Sequence, residues 1–196
     1  DVCSSDLKRV VFLVEAKSKD NQMLLETMKG MYASGMKDFV TAVDESSVIL
    51  VKALEETDGY REVYESAKSI ADTVSAEAMV NIRVSYGTII HELKDVSKSY
   101  KEAGMALDVG RIFYPGHNIL AYNELGIGRL IHQLPLSLCD MFLKEVFGER
   151  DVSEFEEETL STVYKFFENN LNISETARQL YIHRNTLVYR LEKIQK

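Results

Sequence analysis

The chain has 196 residues, of which 45% are hydrophobic, and it carries a formal net charge of −8. This composition excludes a disordered polypeptide, because there is enough apolar side chain for one moderate core and a small helical domain. The two cysteines, Cys3 and Cys139, lie far apart without a metal-ligand spacing, which argues against a disulfide framework or a zinc site and indicates a reducing, cytoplasmic compartment. No apolar run approaches the roughly 20 residues of a membrane span.

Strand and helix patterns alternate along the first 125 residues. The continuous apolar run from Val10 to Val14 is typical of a buried strand, and residues 21–33 carry apolar side chains at helical spacing. In chain order, the predicted elements are a strand at 10–14, a helix at 21–33, a hairpin of strands at 39–43 and 48–51, a helix at 60–78, a strand at 82–86, a helix at 93–113 and a strand at 119–122. This order predicts an α/β domain over residues 1–125, with helices packed on a mixed sheet.

A helical connector is predicted for residues 126–150. Helical spacing continues from Ile127 to Phe147, with a bend expected where Pro135 removes a backbone donor. The connector is rich in large apolar side chains, namely Leu130, Leu134, Leu138, Met141 and Phe142. That surplus favours a contact with a second copy of the chain.

The third predicted domain covers residues 151–196. It opens on an acidic stretch at 151–159, which we interpret as a solvated helix start, because carboxylates are favourable near a helix N-terminus. Behind it, a helix is predicted whose apolar face is formed by Leu160, Val163, Tyr164 and Phe167. Asn169 and Asn170 mark its expected end.

The last 25 residues have the spacing of a helix-turn-helix. Ser174 is predicted to cap a short helix over residues 175–180, in which Ala177 and Leu180 form an apolar face. A second helix is predicted to begin near Arg184, because Leu187, Leu191 and Ile194 recur at i, i+4 and i+7. The small side chain of Ala177 suits a close crossing of the two helices.

The second of these helices carries side chains suited to DNA on its outward face. Asn185, Val188 and Tyr189 lie opposite the apolar stripe, with Arg184, Arg190 and Lys193 on the flanks. Such side chains can pair with base edges, touch a thymine methyl group or hold phosphates. The segment 173–196 has five Lys or Arg against two acidic residues, a net +3 on an acidic chain. By spacing alone, an ordinary helical hairpin on the protein surface remains the alternative.

The residues of this segment resemble the C-terminal domain of the PucR and carbohydrate diacid regulator (CdaR) family of bacterial transcription factors. The family pattern N-x-S-x-T-A-x-x-L-x-[IV]-H-R-N-T-L-x-Y-R-L-x-K-I is met at every fixed position between Asn172 and Ile194. The resemblance implies DNA contacts by His183, Arg184, Asn185, Thr186, Tyr189 and Arg190, and Ser174, Val188 and Lys193 complete the predicted interface. Family members continue into a further closing helix, so we expect this domain to be truncated at Lys196.

The α/β block resembles the GGDEF-like domain of the same family, which shares its fold with diguanylate cyclases. The stretch Ser99-Tyr-Lys-Glu-Ala103 with Ala106-Leu107 matches the family's S-Y-x-E-A-x-x-A-L. A second match, to Y-x-x-L-G-x-x-R-L, runs from Tyr122 to Leu130. Taken with the tail, the resemblance covers roughly residues 8 to 194.

An enzyme, or a nucleotide-binding domain fused to the helix-turn-helix, is the alternative function. A cyclase needs paired glycines for close backbone approach to the nucleotide, and acidic ligands for Mg²⁺. Here the hairpin tip holds Asp44 and Glu45 without glycine, so both are expected to be solvated turn residues. His91, His117 and His132 are dispersed without metal spacing. We expect no enzymatic activity, no cofactor and no metal.

The sequence therefore predicts a sequence-specific, DNA-binding transcription regulator. A single recognition helix reaches few base pairs, which favours a homodimer on double-stranded DNA. The resemblance implies control of metabolic genes in response to a small-molecule effector, sensed by a domain that this chain lacks. The alternative is that the GGDEF-like block is itself the sensor.

Overall fold

The computed structural model describes residues 7–16, 22–32, 37–78, 81–148 and 156–194, and in residue 78 it describes the backbone alone. The chain divides into two compact units, Asp1–Gln133 and Leu134–Lys196. Cys3, the beginning of the acidic stretch at 151–159 and the last two residues lie outside the described part. The division into three domains stays a prediction, and the compact units place one boundary inside the expected connector.

The first unit is built on a five-stranded mixed sheet. Its strands are β1 (Arg9–Ala16), β2 (Phe39–Ala42), β3 (Ser47–Ala53), β4 (Ile82–Tyr86) and β5 (Ile119–Ala121). They lie in the order β2-β3-β1-β4-β5, with β5 parallel to β4 and every other pair antiparallel. The predicted order of elements and the mixed sheet are confirmed.

Helices cover both faces of this sheet. On one face lie α1 (Gln22–Tyr32) and α2 (Tyr60–Ala78), whose apolar side chains pack with those of β1 around Phe12. On the other face α3 (Val96–Phe113) packs through Ala103, Ala106 and Leu107 against Leu13. Because β1 is buried on both faces, its sequence is continuously apolar rather than alternating. The predicted helix at 93–113 begins as one 3₁₀ turn at Leu93–Asp95 before α3.

Two buried polar side chains of α3 hold the segment that follows β4. The Ser99 hydroxyl accepts from the Val11 N–H at 3.2 Å and donates to the Thr88 carbonyl at 2.9 Å. The Glu102 carboxylate accepts from the Thr88 N–H at 2.8 Å. These bonds satisfy groups that burial would otherwise leave unpaired. The family motif that begins at Ser99 therefore has a structural explanation, in which both polar residues hold Thr88 in place after β4.

Gly87 allows α3 to approach that turn. A Cβ atom at Gly87 would lie 2.1 Å from the Ser99 carbonyl oxygen, which is far inside van der Waals contact. Only glycine fits where the end of β4 meets the helix backbone.

The helical stretch from Ile127 to Phe147 is interrupted at Pro135, as predicted, but the expected bend is a complete break. Two helices occur instead, α4 (Ile127–His132) and α5 (Leu136–Phe147), and Pro135 lies at the N-cap of the second. Proline disfavours helical backbone in the residue before it and lacks an N–H, so the chain breaks rather than bends. The helix α4 belongs to the first compact unit and α5 to the second.

Three further helices complete the second unit: α6 (Glu157–Glu168), α7 (Ile173–Gln179) and α8 (Arg184–Ile194). The helix predicted to end at Asn169 does so, with Asn169 as its C-cap. Within the described residues, no helix combines the length and apolarity needed to cross a bilayer.

Candidate nucleic-acid interface

The helix α7 begins two residues earlier than the sequence suggested. Its N-cap is Asn172, whose side-chain oxygen accepts from the Glu175 N–H at 3.1 Å. The predicted cap, Ser174, lies exposed within the first turn instead. Both residue types are good caps, and the choice follows from where α6 ends. That end is a tight turn in which the Leu171 N–H donates to the Phe166 carbonyl at 2.8 Å, leaving Asn172 as the first extended residue.

The turn between α7 and α8 is a Schellman motif. The Ile182 N–H donates to the Ala177 carbonyl at 3.0 Å, and the Tyr181 N–H donates to the Arg178 carbonyl at 3.2 Å. Tyr181 accordingly adopts a left-handed backbone, with φ of +57°. Glycine or asparagine is usual at this position, because a Cβ atom there costs about 1 kcal/mol.

The recognition helix α8 starts at Arg184, as predicted. His183 is the residue before it, and the His183 carbonyl accepts from the Thr186 and Leu187 N–H groups at 3.0 and 3.2 Å. The His183 ring adds a cap, because its Nδ1 accepts from the Asn185 N–H at 3.3 Å. A ring nitrogen accepts only while it carries no proton. His183 is a predicted DNA contact, and its Nδ1 atom is thus already used to cap the helix.

The two helices cross over a small apolar core. Leu187 is fully buried and Ala177 is 4% exposed, which confirms the predicted close crossing. Thr176 is also fully buried, beneath α6. This packing fixes which face of α8 is free.

The outward face of α8 carries the predicted base-reading residues. Asn185 and Thr186 are exposed on the first turn, Val188 is half-buried, and Tyr189 is 67% exposed one turn later. Glu192 continues the outward line and is also exposed. A carboxylate there would repel phosphates, so the part of α8 suited to base edges is its N-terminal half.

The three cations of α8 differ in their surroundings. Arg184 and Lys193 are exposed. The Arg190 guanidinium forms an ion pair with the Glu158 carboxylate of α6, and its side chain is only 24% exposed. Arg190 thus joins α8 to α6, a role that sequence reasoning missed because Glu158 lies 32 residues earlier.

A second ion pair lies on α7. The Arg178 guanidinium and the Gln179 amide donate to the Glu175 carboxylate and lower the pKa of that carboxyl to about 2. Because Arg178 is held by Glu175, only part of the net positive charge of this segment faces outward from α8.

The alternative site is the tip of the β2–β3 hairpin, whose polar groups form hydrogen bonds within the turn. The Val43 N–H donates to the Ser47 carbonyl at 2.9 Å, and the Asp44 carboxylate accepts from the Ser46 N–H at 2.8 Å. That backbone hydrogen bond lowers the pKa of the Asp44 carboxyl. Asp44 and Glu45 are exposed turn residues. Within the part of the chain that the structure describes, no three metal-ligating side chains converge.

Comparison with known families agrees with both units. Residues 3–109 match the GGDEF-like domain family, and residues 159–196 match the PucR C-terminal helix-turn-helix domain. The first match spans more than half of the chain.

Individual relatives are regulators. The chain is 30% identical over 154 residues to the purine catabolism regulatory protein of Bacillus subtilis (strain 168), covering 76% of this chain and 28% of that protein. It is 23% identical over 189 residues to the DNA-binding transcriptional activator AdeR of the same organism, covering 93% of this chain and 43% of that protein. The chain thus spans less than half the length of either relative.

Among solved structures, a regulator of polyketide synthase expression from Bifidobacterium adolescentis is similar, with 15% identity over 95% of this chain and 70% of that one. The TM-score of that likeness is 0.43. The order of the two matched domains, the helix-turn-helix geometry and the regulator relatives agree. The chain belongs to the PucR family of regulators, with a GGDEF-like domain followed by a PucR-type helix-turn-helix.

Proposed function

We propose that this chain is the DNA-binding part of a transcription regulator and recognises specific sites in duplex DNA. The observation that carries the proposal is the first turn of α8, where Asn185 and Thr186 are exposed at the start of a helix anchored by the fully buried Leu187. Helix-turn-helix proteins present the N-terminal residues of the recognition helix to the major groove.

The proposed contacts divide by chemistry. Asn185 pairs with an adenine edge, Arg184 with guanine or phosphate, and the Val188 methyl groups touch thymine. Lys193 holds phosphate from the flank. Tyr189 and Thr186 supply hydroxyl donors.

Binding is proposed to involve two copies of the chain. One short recognition helix reads few base pairs, so useful specificity requires half-sites about 34 Å apart. The helix α5 supports this, because Leu136, Met141, Phe142 and Val146 are each more than half exposed. A run of large apolar side chains on one helix is typical of a protein contact.

The GGDEF-like unit is proposed to be noncatalytic. Its hairpin tip carries no glycine for close approach to a nucleotide, and Asp44 is engaged with its own turn. The name of the purine catabolism relative supports control of metabolic genes. We further propose that this control responds to a small-molecule effector sensed outside this chain, in the cytoplasm. Because one relative is the purine catabolism regulatory protein of B. subtilis, purines are the first class of compound to test as the effector.

Selection of bound duplexes from a random DNA pool tests the proposal. We expect enrichment of one motif, with Asn185→Ala losing roughly 5- to 150-fold on the selected duplex and little on a scrambled duplex. Tyr64→Phe, on α2 of the other unit, is the control. Failure to enrich any motif, together with equal binding by the Asn185 variant, would falsify the proposed function.

A further inference from the structure

Among the described residues of the second unit, Tyr181 is the most exposed large hydrophobic side chain. It is 96% exposed, against 67% for Tyr189 and 52% for Tyr164. Among described residues with positive φ, the others are two glycines, Asn170 and Leu171. Tyr181 therefore combines a backbone conformation that disfavours a side chain with an aromatic ring that contributes almost no packing to the fold.

The fold itself gives no reason for a tyrosine at this position. The bonds of the Schellman turn are made by the backbone, and its apolar contact is supplied by Ile182, which is half-buried. Glycine would meet the same backbone requirement without strain. Strained residues of this kind are commonly kept where the side chain has a role outside the fold.

The position of Tyr181 indicates that role. It lies three residues before Arg184, which is the first residue of α8, and therefore at the same end of that helix as Asn185. A phenol there extends from the turn into solvent, and hydroxyl groups beside a recognition helix commonly donate to phosphate oxygens.

We propose that Tyr181 is a further DNA contact, in which its hydroxyl donates a hydrogen bond to a backbone phosphate at the edge of the major groove. The inference rests on the proposed function. Because the phenol is neutral, this anchor adds affinity without displacing a counterion, unlike the cation of Lys193. The contact is independent of base sequence.

The test measures binding of the whole chain to the selected duplex and to a scrambled duplex across a salt series. Tyr181→Phe is expected to lose about tenfold on both duplexes, with an unchanged salt dependence. Lys193→Gln should instead make the salt dependence shallower by about 0.9 per chain. The matched control is Tyr164→Phe, which removes the hydroxyl of a half-exposed tyrosine on α6 rather than in the turn before α8, and it should bind like the wild type.

Tyr181→Gly separates contact from folding. It removes the ring and suits the left-handed backbone, so its melting temperature should equal or exceed that of the wild type while its DNA affinity falls at least as far as that of Tyr181→Phe. A lower melting temperature would show that the ring serves the fold and would overturn the inference.

Three results separate the fate of this contact from that of the proposed function. Wild-type affinity of Tyr181→Phe, in a protein whose Asn185→Ala variant loses the selected duplex, would refute the Tyr181 contact alone. A loss confined to the selected duplex would mean a base contact and would overturn the phosphate anchor. Absence of any DNA binding by the wild type would remove both proposals.

Discussion

The ion pair between Arg190 and Glu158 leads to a specific prediction for the salt dependence of DNA binding. Three cations lie on α8, and sequence alone treats them alike. In the structure, Arg184 and Lys193 are exposed, whereas the Arg190 side chain is 24% exposed and held by Glu158, itself 62% exposed. A cation already neutralised by a carboxylate displaces no counterion when DNA binds. Arg190→Gln should therefore leave the salt dependence almost unchanged.

The magnitudes are large enough to separate the variants. Each phosphate contact contributes about 0.9 to the slope of log affinity against log salt, so two chains per site contribute about 1.8. Between 50 and 200 mM salt, a slope difference of 1.8 amounts to about a twelvefold change in relative affinity. We expect that difference for Lys193→Gln. The cost of Arg190→Gln to folding should stay below about 1 kcal/mol, since the pair is partly exposed.

Fluorescence anisotropy with a labelled duplex, measured at four or five salt concentrations, provides the slopes. Glu158→Gln is the informative partner, because it releases the Arg190 guanidinium and should steepen the dependence by up to about 0.9 per chain. Thermal melting of each variant shows that the helices remain folded. Equal slopes for Arg190→Gln and Lys193→Gln, both shallower than that of the wild type, would refute the reasoning.

Three further predictions follow from the second unit. Asn172→Ala should destabilise α7 by about 1 kcal/mol in thermal melting, because it removes the cap on Glu175, whereas Ser174→Ala should be nearly neutral; the reverse order would restore Ser174 as the cap. The pKa of the Glu175 carboxyl lies below its ordinary value, so the contribution of this carboxylate to stability should be complete above about pH 4.5 and lost as the pH falls towards about 2. In the Arg178→Gln variant, an NMR titration should show the pKa of Glu175 returned towards its ordinary value. An unchanged pKa in that variant would contradict the ion pair. Phe142→Asp, 60% exposed on α5, should shift light scattering from dimer to monomer on DNA without changing the melting temperature, and an intact dimer would exclude α5 as the contact.

Local periodicity was sufficient for the order of strands and helices in the first 125 residues and for the outward face of the recognition helix. The continuous apolar run at 10–14 marks a strand buried on both faces, and the i, i+4, i+7 spacing of Leu187, Leu191 and Ile194 places the start of α8 at Arg184. These features depend on residues a few positions apart. Side chains close together in the sequence are therefore enough to predict them.

Other features depend on partners far away in sequence. Ser99 meets Val11 across 88 residues, and Arg190 meets Glu158 across 32. Neither pairing leaves a local pattern, because it exists only once the helices have packed. The sequence determined which residues could cap, pair and face outward; packing decided that Glu158 takes Arg190 and that the turn after α6 leaves Asn172, rather than Ser174, to cap α7.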